Sequence, residues 1–357
     1  MILIQNIYHM LSYAFRVLNE QGYKHIATEK FDNTAELCAA ILSRGIAVQV
    51  KRGLHQEYTT VTENRSLIRG KLEISDSIKN CTILKRQMIC TYDKFSTNSY
   101  INQIVKSTIS LLLRSDITNA RKKELRKWII YFSGMKELDV HRINWKIPYN
   151  QNNQTYRMLI SVCYLVVKGL LQTQSDGSMK LMDFLDEQQM YRLYEKFVLE
   201  YYRREFPQIT TSAPRISWQL DDDKNEHLPI MQSDVMLSYM DKVLIIDTKY
   251  YGRIMQERYE VRTIHSANLY QIFTYVKNKE VELSGRRHEV SGMLLYAGTD
   301  EALVPCNEYR MSGNKISVRT LDLNQNFSEI KKQLNHIAEL YLGVKPERRD
   351  DRWRSNQ

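Results

Sequence analysis

Residues 233–251 read SDVMLSYMDKVLIIDTKYY. Two apolar runs flank Met240–Asp241, so the stretch reads as a strand hairpin closed by a two-residue turn. It carries charges that a purely structural hairpin would avoid: Asp234 near one end, Asp247 and Lys249 near the other. A turn at Met240–Asp241 fixes the register and sets Asp234 directly opposite Asp247, with Cβ atoms about 4.5–5.5 Å apart. Lys249, two residues beyond Asp247, projects to the same face. A slip of one residue would break this pairing.

Directly opposed carboxylates repel one another across a strand pair. A divalent cation turns that repulsion into binding, and Mg²⁺ favours one or two carboxylates together with waters and phosphate oxygens. A lysine beside them can hold a phosphate, orient a water, or deprotonate it when its own pKa is depressed. The set suits metal-assisted phosphodiester hydrolysis. Taken alone, an Asp-x-Lys at a strand end also fits solvated charges, so the neighbouring elements matter.

Upstream, residues 187–205 (EQQMYRLYEKFVLEYYRRE) predict a long helix with Tyr194, Phe197, Val198 and Tyr201 as its apolar stripe, ended by Pro207. Glu195 lies beside that stripe, where it is either a further carboxylate for the site or a solvated flank. Glu200 is the alternative. Downstream, residues 266–279 predict a helix in which Gln271 and Tyr275 share a face at i and i+4. A strand at 290–297 and a helix at 325–342 follow. This order suggests a mixed sheet flanked by helices.

The N-terminal half reads as α+β. Helices are expected at 6–18, 34–44, 98–114, 117–132 and 156–171, with short strands within 45–75 punctuated by Gly53 and Gly70. QTQSDGS (172–178) reads as a linker, DDDKNEH (221–227) as an exposed acidic loop, and 346–357 as a disordered polar tail. The expected domains are therefore 1–172 and 179–345.

Of 357 residues, 43% are hydrophobic and 26% charged, which fits an ordinary globular chain. The net charge of +10 favours a polyanionic partner, most often nucleic acid. The five scattered cysteines form no C-x-x-C pair, which argues for a reducing compartment and against a zinc site. No signal peptide or membrane-spanning run is visible, so a cytoplasmic location is expected.

Glu195 on a helix, then Asp234, then Asp247-Thr248-Lys249, then Gln271 and Tyr275 on a helix together resemble the PD-(D/E)XK nuclease superfamily. The Q-x-x-x-Y element is typical of its RecB-like branch. Ser233 stands where that family's motif has proline. The resemblance implies an α/β nuclease domain in which Asp234, Asp247 and the Thr248 backbone carbonyl bind Mg²⁺. Lys249 would stabilise the transition state or position water. Gln271 and Tyr275 would support the site or contact DNA, and Glu195 holds an acid position that relatives do not all keep.

A closer resemblance spans most of the chain. NIYHMLSYAF (6–15), KRGLHQEY (51–58), IRGKLEI (68–74), NQIVKSTISLLL (102–113), LISVCYLV (159–166), LYEKFVLEYYRRE (193–205), IIDTKYY (245–251) and HSANLYQIFTYV (265–276) are together similar to the McrC family. These are the nuclease subunits of McrBC modified-cytosine restriction systems. The similarity implies an Mg²⁺-dependent type IV restriction endonuclease subunit that acts on double-stranded DNA. It also implies a partner, a McrB-like AAA+ GTPase hexamer, which the N-terminal half docks on and stimulates.

This chain has no G-x-x-x-x-G-K-[ST], since Gly70-Lys71 is followed by Leu72, so GTP is expected on the partner. Arg52, Arg65, Arg69 and Lys71 lie in the segment expected to face that partner, as an arginine finger or as a solvated basic face. Two other functions stay open at this point: a non-catalytic assembly subunit of the same complex, and a stand-alone DNA-processing nuclease.

Overall fold

The computed structural model describes all residues except 1, 16–17, 19–25, 27–28, 30, 32, 152, 176–186, 223, 225, 251–254, 259–260, 299–305 and 347–357. The chain divides into two compact units, one of residues 31–184, the other of residues 1–30 and 185–357.

This division corrects the expected N-terminal domain of 1–172. Helix α1 (Ile4–Ala14) is buried on nearly every side, with Asn6, Ile7, Tyr8 and all of Met10–Ala14 buried. In chain order, α2 (Thr34–Arg52), β1 (Glu57–Arg65), β2 (Lys71–Leu72), α3 (Ile74–Lys79), β3 (Met88–Ser96), α4 (Tyr100–Arg114), α5 (Asn119–Ile129) and α6 (Arg157–Ser175) build the other unit. The chain then returns to the first unit with α7 (Glu187–Glu205), and α1 packs on α7. The Tyr13 ring meets Phe197 edge-on at 5.6 Å, and its hydroxyl donates to Glu205 Oε1 at 2.7 Å. His9 stacks on Phe327 at 4.2 Å. Asn6 Nδ2 donates to the carbonyls of Leu323 and Gln325, both at 2.8 Å.

In the 31–184 unit, Asn33 caps α2 by accepting from Glu36 N at 2.9 Å. The helix runs on to Gly53, whose φ of 93° ends it. The strand expected from residue 45 is therefore helical up to Arg52. Leu42, Gly45, Ile46 and Gln49 are buried at helical spacing, and Lys51 and Arg52 complement the dipole of the last turn. The strands that do form are β1 and β3, antiparallel from Glu57 opposite Ser96 to Arg65 opposite Met88, with β2 against β3. β3 was not expected. Gly70, at φ 69°, lies so close to this sheet that a Cβ would sit 2.4 Å from Thr91 O. Helices α2, α4, α5 and α6 pack together beside the sheet. Burial pushes the Cys38 and Cys163 thiols up to about 12, and all five cysteines are free. α6 continues to Ser175, so residues 172–175 are helical; the rest of the expected linker and the tail from 347 lie outside the described residues.

The other unit continues with β4 (Thr210–Ser212), β5 (Arg215–Ile216), β6 (Met231–Gln232), β7 (Val235–Tyr239), β8 (Lys242–Lys249), β9 (Met255–Arg258) and β10 (Val261–Ile264). It ends with α8 (Ser266–Glu282), β11 (Glu289–Gly298), β12 (Asn307–Met311), β13 (Asn314–Asp322) and α9 (Phe327–Leu342). Its central sheet is mixed and six-stranded, in the order β12-β13-β11-β8-β7-β4. β8, β11 and β13 are parallel, while the outer pairings are antiparallel. Helix α8 covers one face, where Ile272, Tyr275 and Val276 pack with Met236, Val243, Ile245 and Leu294. Gly292 on β11 admits this close approach, since a Cβ there would lie 2.7 Å from Val276 and 2.8 Å from Ile272. Strand alternation sends the buried Val235, Leu237, Leu244 and Ile246 to the opposite face, and α7 and α9 pack on β8. Tyr202 OH donates to Leu334 O at 3.0 Å, tying α7 to α9. No described helix is long and apolar enough to cross a membrane.

Candidate active site

The hairpin pairs in the expected register, from Tyr239 opposite Lys242 to Val235 opposite Ile246, with Met240 in the turn at φ 53°. The ladder stops one residue short of Asp234. Freed from strand pairing, the Asp234 carboxylate turns to the β8 backbone, and its Oδ2 accepts from Thr248 N and Thr248 Oγ1, both at 2.7 Å. Tyr191 OH, from α7, donates to the same carboxylate at 3.2 Å. The Asp234 carboxylate is thus held from two elements.

Asp247 lies within β8, between β7 and β11, and is 1% exposed. Its Oδ2 is 2.7 Å from Lys249 Nζ, yet no donor is well aligned on that oxygen, so the contact is an ion pair off the hydrogen-bond axis. Lys249 Nζ donates to Gln271 Oε1 at 3.1 Å, and Gln271 Nε2 donates to Tyr275 OH at 2.8 Å. The i, i+4 pair on α8 therefore orients the lysine. All six residues singled out in the sequence come together in one unit, Glu195 through its electrostatic reach to both aspartates. Tyr191 was missed. Its signal was the four-residue spacing to Glu195, which puts both on one side of α7.

Burial raises the carboxyl pKa at all three acids. Asp247 is pushed up to about 6 by burial and by Asp234, against the pull of Lys249. Burial also raises Asp234, against its hydrogen bonds from Thr248 and Tyr191. Glu195 reaches about 7 through burial and through the charges of Asp234 and Asp247. Among the described residues, no three His, Cys, Asp or Glu side chains close into a ready metal cluster. The oxygen donors that the hairpin offers an ion are the two aspartates and the Thr248 backbone between Asp247 and Lys249.

A raised carboxyl pKa means that the folded state keeps a proton the unfolded chain releases. Its stability contribution is full below the unfolded value of 4.5 and is lost as pH climbs through about 7. Without metal, Glu195→Gln is expected to stabilise the protein at pH 8 by about 1–2 kcal/mol, after discounting for partial exposure, and to change little at pH 4.5. Denaturant melts at the two pH values check this; equal shifts at both would contradict it.

Three of the basic residues singled out in the 31–184 unit have local partners. Arg65 pairs with Glu63 at 2.7 Å, Lys71 with Glu73 at 3.1 Å, and Arg69 lies 4.4 Å over the Tyr92 ring. Arg52 is exposed.

The unit of residues 1–30 and 185–357 is thus a mixed sheet with helices on both faces and an acid–lysine cluster on an inner strand. Residues 5–297 match the family described as McrBC 5-methylcytosine restriction system component, and the chain belongs to that family. It is 28% identical over 345 residues to the Type IV methyl-directed restriction enzyme EcoKMcrBC of Escherichia coli (strain K12), spanning 95% of this chain and 98% of that protein. It also resembles a refined half-complex from a tetradecameric assembly of Thermococcus gammatolerans McrB AAA+ hexamers with bound McrC. That match has a TM-score of 0.47 and 17% identity over 92% of this chain and 75% of the other. The cryo-EM structure of the Thermococcus gammatolerans McrBC complex gives a TM-score of 0.39 and 19% identity, over 57% and 58% of the two chains.

Proposed function

We propose that this chain is the DNA-cleaving subunit of a GTP-dependent, modified-cytosine-directed restriction complex, with a PD-(D/E)XK site in the unit of residues 1–30 and 185–357. The set of half-buried Asp234 with buried Asp247 and Lys249 carries this reading. A purely structural hairpin has no need of two desolvated carboxylates whose pKa values both rise.

The residues fit Mg²⁺. Their donors are hard oxygens, and Asp247 Oδ2 is buried without an aligned donor. The carboxylates of Asp234 and Asp247 would hold the ion with the backbone carbonyl of Thr248. Bound there, it supplies charge neutralisation at a phosphodiester and a more acidic water.

The chain's own side chains do the rest. Thr248 and Tyr191 fix the Asp234 carboxylate. Gln271, anchored by Tyr275, aims Lys249 so that its ammonium stabilises charge gathering on the scissile phosphate. Glu195, with a pKa of about 7, is placed to exchange a proton near neutral pH.

The 31–184 unit supports a docking role. Leu67, Ile68, Ile74, Ile78, Ile83 and Leu84 are all exposed large apolar side chains within a short stretch. Such an apolar surface marks a protein contact. We read its occupant as a McrB-like AAA+ GTPase hexamer that binds the GTP, in a cytoplasmic complex that acts on double-stranded DNA; a similar structure is named for McrB AAA+ hexamers with bound McrC, which is in keeping with this.

The test is cleavage of methylated and unmethylated duplexes by the purified chain with that partner, GTP and Mg²⁺. Cutting is expected only of methylated DNA and only with all components present. Unchanged cutting in excess EDTA would refute the metal site, and cutting without the GTPase would refute the division of labour.

A further inference from the structure

The chain's charge is not spread evenly. Residues 31–184 hold 23 of the 51 Lys and Arg but only 13 of the 41 Asp and Glu, so this unit carries the whole net +10. The unit with the acid–lysine cluster is neutral overall.

Part of that surplus is concentrated on α5, whose sequence is NARKKELRKWI. Lys123, Arg126 and Lys127 are exposed and Lys122 is half-buried. The helix's one acid is already engaged, since Glu124 pairs with Arg121 at 2.7 Å and accepts from Ser43 Oγ at 2.6 Å. Among the described residues, none of the four outer cations forms an ion pair. Helix stability accounts for only half of this pattern. Arg126 and Lys127 lie in the last turn, where cations complement the dipole, but Lys122 closes the first turn, where cations are disfavoured. Just beyond α5, Tyr131 and Ile130 are 55% and 69% exposed, and the Tyr131 ring lies 6.1 Å from that of Trp128.

We infer that the outer face of α5, formed by Lys122, Lys123, Arg126 and Lys127, is a duplex-DNA contact surface that grips the phosphate backbone. Protein interfaces are depleted in lysine, whereas protein–DNA interfaces are strongly positive and poor in acids. The surface is separate in sequence from the apolar stretch of 67–84. Because phosphates carry no sequence, this surface adds affinity and register, not methyl recognition. The choice of DNA as ligand rests on the proposed function.

The experiment measures binding of the full-length chain to a fluorescent duplex across a salt series, without partner or cleavage. The variant is Lys122→Gln/Lys123→Gln/Arg126→Gln/Lys127→Gln. Removing one phosphate-neutralising cation lowers the magnitude of the slope of log K against log salt by about 0.9, so a fall of up to about 3.6 is expected for the four. The fall should be equal on methylated and unmethylated duplexes. Lys122→Arg/Lys123→Arg/Lys127→Arg, which keeps the charge, should retain the wild-type slope, and both variants should still stimulate the partner GTPase.

An unchanged slope in the glutamine variant, or no salt-dependent DNA binding by the wild type, overturns the inference. So does a failure of GTPase stimulation with the slope intact, which would make α5 a docking face for an acidic protein. A chain that binds through α5 yet never cuts would defeat the nuclease reading and leave this one standing.

Discussion

Asp247→Asn is expected to lower DNA cleavage by about 1,000-fold or more, with stimulation of the partner GTPase unchanged. The magnitude follows from losing about 4 kcal/mol of charge stabilisation in a desolvated site. Asp247 is 1% exposed, so no water substitutes for its carboxylate. Asparagine keeps the shape and still offers Lys249 an oxygen, which spares the buried lysine the cost of losing its partner altogether. The docking and GTPase-stimulating role is proposed for residues 31–184, which the substitution does not touch. Cleavage assays and GTP turnover on one preparation check both halves. Cleavage within tenfold of wild type would remove Asp247 from the chemistry.

A chain that starts at residue 185 is expected not to fold, whereas residues 1–30 fused to 185–357 through a flexible linker are expected to fold. The buried Ile7, Met10, Leu11 and Tyr13 of α1 lie in the unit that contains α7 and α9. At about 1.5–3 kcal/mol for each large apolar side chain, their loss removes roughly 6–12 kcal/mol, comparable with the whole stability of a typical domain. Without Asn6, the carbonyls of Leu323 and Gln325 would also lack their donor. Circular dichroism and thermal melts of the two proteins decide the matter. A cooperative melt of 185–357 alone, at the temperature of the fused protein, would show that α1 is dispensable. Deleting residues 1–170 is consequently a poor test of the docking unit, because it damages the other unit as well.

The hairpin was legible because two local rules acted together. A two-residue turn fixes register, and the period of two then assigns Asp247 and Lys249 to one face; Asp234 joins them otherwise than expected, because the ladder ends at Val235 and its carboxylate bonds Thr248 and Tyr191. Gln271 and Tyr275 were legible through helical spacing, and they do hydrogen-bond to one another. Tyr191 was missed despite its four-residue spacing to Glu195, because a tyrosine on an apolar helical stripe reads as core until its hydroxyl is seen at Asp234. Residues 45–52 misled for a different reason. Ile46, Val48 and Val50 alternate like a strand, but burial follows Leu42, Gly45, Ile46 and Gln49, and the cap at Asn33 commits the segment to α2. Tertiary burial overrode β propensity there. The membership of α1 was beyond local reasoning, since its partners lie nearly the whole chain away. The register of β13 beside β11 was similarly hidden, being a parallel pairing with no hairpin to announce it.

That nesting of one unit within the other sets an order of events at the ribosome. α1 is made first, yet its neighbours α7 and α9 follow only after the complete 31–184 unit has emerged. At about 5–20 residues per second, α1 waits on the order of ten seconds or more for α7. The unit with the acid–lysine cluster therefore closes last, after the unit that carries the positive charge. A prematurely terminated product holds the second without the first, so unfinished chains carry no assembled acid–lysine cluster.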